Sequence, residues 1–173
     1  RLIQREVLGD SRGTLSRLFC VEELSVLGWG PCVAQFNLTC TARSGTIRGL
    51  HFQYPPHAEK KLVTCIRGRV WDVIVDIRAG SPTFLMWHAE ELSDENHRSL
   101  LIPEGFAHGF QTMSDEVEML YCHSAAYVAA AEGGLYPLDP YLQISWPLPI
   151  TEISARDCQH PALNDSFQGV IIR

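Results

Sequence analysis

The segment 45–63 concentrates side chains that bind anions or transfer protons. Its sequence is GTIRGLHFQYPPHAEKKLV, and its charged residues and histidines are Arg48, His51, His57, Glu59, Lys60 and Lys61. A histidine, whose pKa lies near neutrality, is a candidate general base, and a nearby lysine is a candidate stabiliser of negative charge. Pro55 and Pro56 divide the segment into two extended arms. We therefore predict that both arms face one cavity.

The composition limits the classes of protein to consider. The chain has 173 residues, which predicts one domain spanning residues 1–173 with a substantial core. A net charge of −6 argues against a partner that is a nucleic acid or a membrane surface. A phosphorylated ligand would have to meet a local cluster of cations. No apolar run approaches the length of a membrane span, and no signal-peptide pattern opens the chain.

The six cysteines are widely spaced and form no CxxC pair. Such a distribution is typical of small buried hydrophobes in a reducing compartment, and it favours neither a disulfide framework nor a zinc site. We therefore expect a cytoplasmic protein.

The elements that must position the polar segment are predicted to be short strands. The predicted strands are Leu18–Leu24, Cys32–Leu38, Arg69–Arg78, Phe84–Leu92, Arg98–Ile102 and Val117–His123. In the clearest of them, RVWDVIVDIR, one face is continuously apolar and Asp72 and Asp76 interrupt the other. Helix is predicted only at 125–132 and after Ser154, a suitable N-cap. Many short strands separated by Gly and Pro turns predict an all-β sandwich or barrel.

A second motif lies at 102–110, with the sequence IPEGFAHGF. Pro103, Gly105 and His108 form the pattern P-x-G-x-x-H, which resembles the second motif of the cupin superfamily, a group of small jelly-roll barrels; a tight turn entering a strand is the alternative. In metal-binding cupins this histidine is joined by an H-x-H pair and a glutamate. The H-x-H pair is absent here and lysines flank the candidate ligands, so we predict no metal and no cofactor. A metal site at His51, His57 and His108 is the alternative.

Taken together, these motifs resemble the dTDP-4-dehydrorhamnose 3,5-epimerase family, a metal-free branch of the cupins. The matching segments are GDSRG at 9–13, AQFN at 34–37, GTIRGLHFQ at 45–53, KLV at 61–63, GRVWDVIVDIR at 68–78, SPTF at 81–84, IPEGFAHGF at 102–110 and ISWP at 144–147. The resemblance implies a cupin-type jelly roll. It also implies epimerisation of a nucleoside-diphospho-4-keto-6-deoxy sugar, whose C–H bonds beside the carbonyl are acidic.

The resemblance implies four catalytic residues. His51 matches the base, Asp157 the carboxylate that orients it, Lys61 the cation beside the enolate oxygen, and Tyr121 the acid on the opposite face. An isolated histidine or tyrosine in a strand is more often structural, so the joint pattern carries this interpretation. The residues implied to bind substrate are Arg12, Gln35, Asn37, Arg48, His108 and Glu132, with Arg48 contacting the pyrophosphate. Arg12 would have to reach a partner's ligand, which implies a homodimer.

Two positions in this pattern conflict with a regular strand. Arg48 and His51 are three residues apart, so a regular strand would direct them to opposite faces. Either a bulge or an end of the strand at Gly49 must bring both to the ligand.

The chain departs from the family pattern where the nucleotide base binds. Leu8, Arg17 and Ala126 stand where the family has an aromatic residue, a glutamate and a tyrosine. We therefore expect weaker preference for thymine, and a GDP- or CDP-linked sugar is an alternative substrate. Epimerisation at one carbon only is a further alternative. Outside this class, the alternatives are a metal-dependent cupin enzyme and a non-catalytic protein that binds sugar nucleotides.

Overall fold

The computed structural model describes residues 1–172. Its elements, in chain order, are β1 (Leu2–Gln4), β2 (Val7–Asp10), β3 (Gly13–Ser16), α1 (Val21–Ser25), β4 (Gln35–Thr41), β5 (Thr46–Gln53), β6 (Lys61–Arg67), β7 (Arg69–Asp76), β8 (Trp87–Ser93), β9 (Arg98–Ile102), β10 (Phe106–Thr112), β11 (Val117–His123), a 3₁₀ turn (Ala129–Ala131), β12 (Glu132–Gly134), β13 (Glu152–Ile153) and α2 (Ala155–Cys158). Among these residues, no helix has the length and apolar character that a membrane crossing requires.

The strands form two sheets that face each other, and all their pairings are antiparallel except that of β13 with β5. The first has the order β1-β9-β6-β11-β4, and the second has the order β12-β5-β10-β7-β8 with β13 beside β5. A separate hairpin joins β2 and β3. This arrangement confirms the prediction of an all-β jelly-roll architecture, in which side chains alternate between the interior and the outer faces.

Alternation along the strands produces three apolar clusters. Between the sheets, residues such as Val63 of β6, Met119 of β11 and Phe110 of β10 pack together. The outer face of the second sheet, which includes Val73 and Val75 of β7, packs against C-terminal segments. The outer face of the first sheet packs beneath α1 and the residues that follow it. Side chains that point inward from the two sheets therefore meet in one shared interior.

Two predictions for the N-terminal third are wrong. Val21–Ser25 is helical, although Leu18–Leu24 was predicted as a strand, and β4 begins at Gln35, not at Cys32. The apolar run covers the first sheet instead of joining it, because Leu24 is buried against Trp29 and Leu62. The helix predicted after Ser154 is confirmed: the Asp157 amide donates to Ser154 Oγ over 3.1 Å.

Candidate active site

A bulge in β5 resolves the conflict between Arg48 and His51. His51 is opposite His108 of β10, whereas Arg48 is opposite Phe110. The two paired positions are therefore three residues apart on β5 but only two residues apart on β10. The extra residue reverses the parity of the strand, and both Arg48 and His51 line the same cavity. Of the two arrangements that the sequence left open, the structure has the bulge.

Two glycines make this bulge sterically possible. Gly49 has a φ of +128°, and a Cβ added there would lie 2.5 Å from the Cα of Gly109. A Cβ on Gly109 would in turn lie 2.7 Å from the carbonyl oxygen of Arg48. Neither strand can carry a side chain at this crossing. The motifs RGLH and AHGF therefore meet at the point where each has a glycine.

His51 and Asp157 form a hydrogen-bonded pair at the cavity. His51 Nε2 lies 2.8 Å from Asp157 Oδ1, and the Gly49 amide donates to Asp157 Oδ2 over 3.1 Å. Burial alone would raise the pKa of Asp157, but the hydrogen bonds from His51 and Gly49 outweigh burial and lower the pKa to about 2. Asp157 is therefore a carboxylate that orients the imidazole, and one ring nitrogen of His51 faces away from it.

Tyr121 approaches the cavity from the opposite sheet. Its phenol oxygen lies 3.4 Å from Thr39 Oγ1, and its ring packs edge-on against His108 with centroids 6.0 Å apart. Burial raises the pKa of Tyr121 well above its ordinary value. The phenol therefore keeps its proton at neutral pH and is available as a donor.

Lys61 supplies a buried positive charge. Its Nζ lies 3.1 Å from Glu59 Oε1 and donates to the backbone carbonyl of His51 over 3.1 Å. Gln53 Nε2 in turn donates to Glu59 Oε2 over 2.9 Å. These contacts hold the ammonium group beside the strand that carries the candidate base.

A second histidine–carboxylate pair lies deeper in the interior. His108 Nε2 is 2.8 Å from Asp72 Oδ2, and the Asp72 side chain is completely buried. Burial raises the pKa of Asp72, although the nearby His108 and Lys61 lower it. Asp72 interrupts an apolar face of β7 because that face points into the site.

The cavity that these groups share has a volume of about 230 Å³. Of the predicted residues, its lining includes Asn37, Arg48, His51, Lys61, His108, Tyr121 and Glu132. A larger cavity of about 470 Å³ lies at the β2–β3 hairpin, and Leu8 and Arg17 line it. The smaller cavity is the chemically relevant one, because it holds the paired histidines, the phenol and the buried lysine.

Two predicted binding residues lie outside this lining. Gln35 donates to Asn37 Oδ1 over 3.0 Å and accepts from the Tyr127 amide over 3.0 Å, so it holds neighbours of the cavity in place. Arg12 is at the turn of the β2–β3 hairpin, where its exposed guanidinium pairs with Asp10. Within one chain, the structure does not bring Arg12 to the site.

Sequence reasoning missed Arg156, which is part of the cavity wall. Its Nη2 lies 3.2 Å from His51 Nε2, and its Nη1 lies 3.2 Å from Glu132 Oε1. His123, whose pKa burial lowers to about 4, and Tyr127 also line the cavity. Two features of the sequence could have indicated these residues. Arg156 is next to Asp157, and His123 is two residues after Tyr121, so both side chains of the strand point to the same face.

His57, one of the alternative metal ligands, lies outside the lining of this cavity. It follows β5, and its amide donates to the Tyr54 carbonyl over 3.0 Å in a turn. The imidazoles of His51 and His108 are each bonded to a carboxylate of their own.

Comparison with known proteins gives a consistent result. The family model described as dTDP-4-dehydrorhamnose 3,5-epimerase matches residues 1–165. The dTDP-4-dehydrorhamnose 3,5-epimerase of Streptomyces griseus is 41% identical over 164 residues, which are 94% of this chain and 81% of that protein. The dTDP-4-dehydrorhamnose 3-epimerase of Streptomyces niveus is 40% identical over 156 residues, which are 90% of this chain and 75% of that protein.

A solved structure shows the same architecture. The dTDP-6-deoxy-D-glucose-3,5-epimerase of Legionella pneumophila, in complex with dTDP-4-keto-L-rhamnose, superposes with a TM-score of 0.92 at 35% identity, covering 99% of this chain and 93% of that one. The two facing sheets are thus a cupin-like fold, as the sequence motifs implied. The chain belongs to the dTDP-4-dehydrorhamnose 3,5-epimerase family.

Proposed function

We propose that this enzyme epimerises a nucleoside-diphospho-4-keto-6-deoxy sugar, with His51 as base and Tyr121 as acid. One observation carries the proposal: an oriented imidazole on the second sheet and a protonated phenol on the first sheet line the same cavity. A base and an acid on opposite sides of a planar enolate are what inversion of a carbon centre requires. The family membership and the dTDP-sugar ligand of the Legionella enzyme support this substrate class.

The proposed reaction begins with removal of the proton on the carbon next to the C4 carbonyl. The free nitrogen of His51 accepts this proton, and the electron pair of the C–H bond moves onto the carbonyl oxygen to form an enolate. Lys61, held by Glu59, stabilises the negative oxygen. Tyr121 then gives its phenolic proton to the opposite face of the carbon, and the inverted ketone forms. Proton exchange with solvent restores His51 and Tyr121.

The guanidinium groups of Arg48 and Arg156 are the proposed contacts of the diphosphate. Both line the cavity, and a guanidinium group matches the geometry of phosphate oxygens. Arg156 now pairs with Glu132 and faces His51, so binding of the diphosphate would draw it away from the base. A cavity of about 230 Å³ is smaller than the 300–1,000 Å³ typical of sites for whole ligands, so the nucleotide must extend outside it.

A homodimer remains part of the proposal because Arg12 is separated from the cavity of its own chain. Its exposed position on the β2–β3 hairpin is compatible with contact to a ligand held by a second chain. Arg12→Ala should therefore weaken nucleotide binding in the dimer. A mixed dimer that pairs one Arg12→Ala chain with one His51→Asn chain should retain one complete site.

The cytoplasmic location stays a prediction.

Solvent deuterium exchange tests the catalytic assignment. Wild type should incorporate deuterium at the carbons beside the ketone, whereas Tyr121→Phe should retain exchange better than net inversion. This difference is expected because the base acts before the acid. Equal loss of both activities would contradict the assignment of Tyr121 as the acid that returns the proton.

Epimerisation at C3 alone is a second candidate, because the Streptomyces niveus relative is named a 3-epimerase. Mass and NMR analysis of the exchanged sugar distinguishes the two: label at both C3 and C5 supports double epimerisation, and label at C3 alone supports the second candidate.

The nucleotide base is the least constrained part of the substrate. Leu8 and Arg17 line the hairpin cavity, where Arg17 pairs with Glu23. Stacking on aromatic side chains contributes about 1–3 kcal/mol per base in nucleic-acid sites. Since Leu8 and Ala126 lack aromatic rings, we predict that dTDP is preferred over GDP, CDP or UDP by less than about tenfold. Calorimetric titration of the four diphosphates measures this, and a preference of about a hundredfold for dTDP would contradict it.

A further inference from the structure

A second histidine, His160, packs beside the candidate base. Its ring centroid is 6.3 Å from that of His51, at an interplanar angle of 67°. The ring occupies space that a side chain at residue 134 would fill, since a Cβ on Gly134 would lie 2.1 Å from His160 Nε2. Gly134 of β12 is directly opposite His51 of β5. Within residues 1–172, the buried His160 Nε2 has no hydrogen-bond partner.

His160 completes a cluster of metal-ligating groups. One ligand atom from each of His51, Asp157 and His160 lies within 4.8 Å of the other two. Zn²⁺ binds imidazole nitrogen and carboxylate oxygen at about 2.0–2.2 Å, so two atoms on one ion lie no more than roughly 4.4 Å apart. The three groups are therefore close enough to share one ion after the side chains have moved closer together. We propose that His51, Asp157 and His160 form a Zn²⁺ site and that the bound ion inhibits the enzyme.

Two imidazoles and one carboxylate are a ligand set that Zn²⁺ binds well. The ion would replace the proton shared by His51 and Asp157, whose atoms now lie 2.8 Å apart. In a tetrahedral complex, two such ligand atoms lie roughly 3.4 Å apart, so the pair has to open slightly. His160 Nε2 has no partner among the described residues, so binding through that nitrogen would break no hydrogen bond.

Inhibition follows from the protonation of imidazole. Zn²⁺ binds a neutral imidazole through one nitrogen, and the other nitrogen then carries the proton. His51 bound to the ion has no free nitrogen to accept a proton from the sugar. This consequence rests on the proposed role of His51 as base, whereas binding of Zn²⁺ does not.

Arg156 opposes the ion. Its guanidinium lies 3.2 Å from His51 Nε2, and its side chain is 58% exposed. It must move away when Zn²⁺ enters, and its positive charge lowers the affinity for a cation. Replacement of Arg156 by an uncharged residue should therefore strengthen Zn²⁺ binding.

Calorimetric titration with Zn²⁺ tests the site in the intact protein. Wild type should bind one ion here, and His160→Ala should bind it at least about tenfold more weakly. His88→Ala is the matched control, because it removes an exposed histidine of β8 that pairs with Glu90 away from the cavity. It should bind Zn²⁺ as wild type does, and Arg156→Gln should bind it more tightly. Equal affinity in wild type and His160→Ala would overturn the proposal.

The deuterium-exchange assay then tests inhibition. Zn²⁺ should stop exchange by wild type, a chelator should restore it, and His160→Ala should retain exchange at the same Zn²⁺ concentration. Inhibition that is equally strong in His160→Ala overturns the proposal. Binding through His160 without loss of exchange overturns the inhibitory role of the ion, and His51→Asn measured without Zn²⁺ tests separately whether His51 is the base.

Discussion

The two histidine–carboxylate pairs of the interior have the same hydrogen-bond distance, but they differ in solvent exposure and in the direction of the carboxylate pKa shift. His51–Asp157 and His108–Asp72 both measure 2.8 Å between the bonded atoms. The His51 side chain is 27% exposed, whereas that of His108 is 4% exposed. Folding lowers the pKa of Asp157 and raises that of Asp72.

Burial raises the pKa of both carboxyl groups, and the number of hydrogen bonds that each accepts decides whether that increase is offset. Asp157 accepts bonds from His51 and from the Gly49 amide, while Asp72 Oδ1 has no partner among the described residues. A carboxylate with several donors stays ionised, and one in a dry interior is costly to ionise. We infer that the first pair performs proton transfer and that the second shapes the floor of the cavity.

The largest expected effect is that of His51→Asn. Removal of a general base should lower solvent deuterium exchange by roughly 10²- to 10⁴-fold. Asparagine keeps a polar group of similar size beside Asp157, so ligand binding and thermal stability should stay close to those of wild type. Exchange at the wild-type rate would show that the exposed pair is not the catalytic one.

The matched variant in the buried pair, His108→Asn, should mainly lower stability. Removal of one partner leaves the other buried without its hydrogen bond, which costs about 1–3 kcal/mol and more where that group is charged. Urea unfolding measures this cost. Asp72→Asn should cost less, since an amide avoids the cost of ionising a carboxyl group in a buried position. A His108→Asn variant that loses exchange as completely as His51→Asn, with unchanged stability, would reverse the two roles.

Asp157→Asn should have a smaller effect on activity than His51→Asn. The imidazole remains, but the group that fixes its orientation and tautomer is weakened. Loss of such a supporting carboxylate costs roughly 10- to 100-fold at metal-bound histidines, and we expect a similar loss of exchange rate. Single-turnover exchange by the two variants measures the difference, and an equal loss in both would make Asp157 as indispensable as the base.

The smallest expected effect is a dependence of stability on pH. Because folding lowers the pKa of Asp157 from 3.8 to about 2, its contribution is fully present above pH 3.8 and is lost as the pH falls through about 2. The shift corresponds to about 2 kcal/mol. Urea unfolding at about pH 5 and about pH 2.5 should show a larger fall for wild type than for Asp157→Asn. Parallel curves would show that Asp157 is not stabilised by its partners.

Much of the candidate site could be predicted because its residues lie in short, dense motifs. His51, Lys61 and His108 occur in RGLHFQ, KLV and IPEGFAHGF, and the resemblance to a family linked them to the distant Asp157 and Tyr121. The alternation in 69–78 and 117–123 also predicted β7 and β11, since each has one apolar interior face. Local patterns of this kind depend only on neighbouring residues.

Other features were decided only by the tertiary structure. The run at 18–24 is apolar in any conformation, and it became partly helical because it covers the outer face of the first sheet. The sequence allowed either a bulge or a strand end near Gly49, and the close approach of Gly109 on another strand produced the bulge.

The sequence by itself determined the fold class, the family and the chemical types present at the site. Tertiary structure decided which of these groups meet: it placed Arg156 against His51 and His160 over Gly134, and it left Arg12 outside. The physical reason is that residue type and spacing limit what a segment can do. Which side chains from distant segments share a cavity depends on the packing of the two sheets.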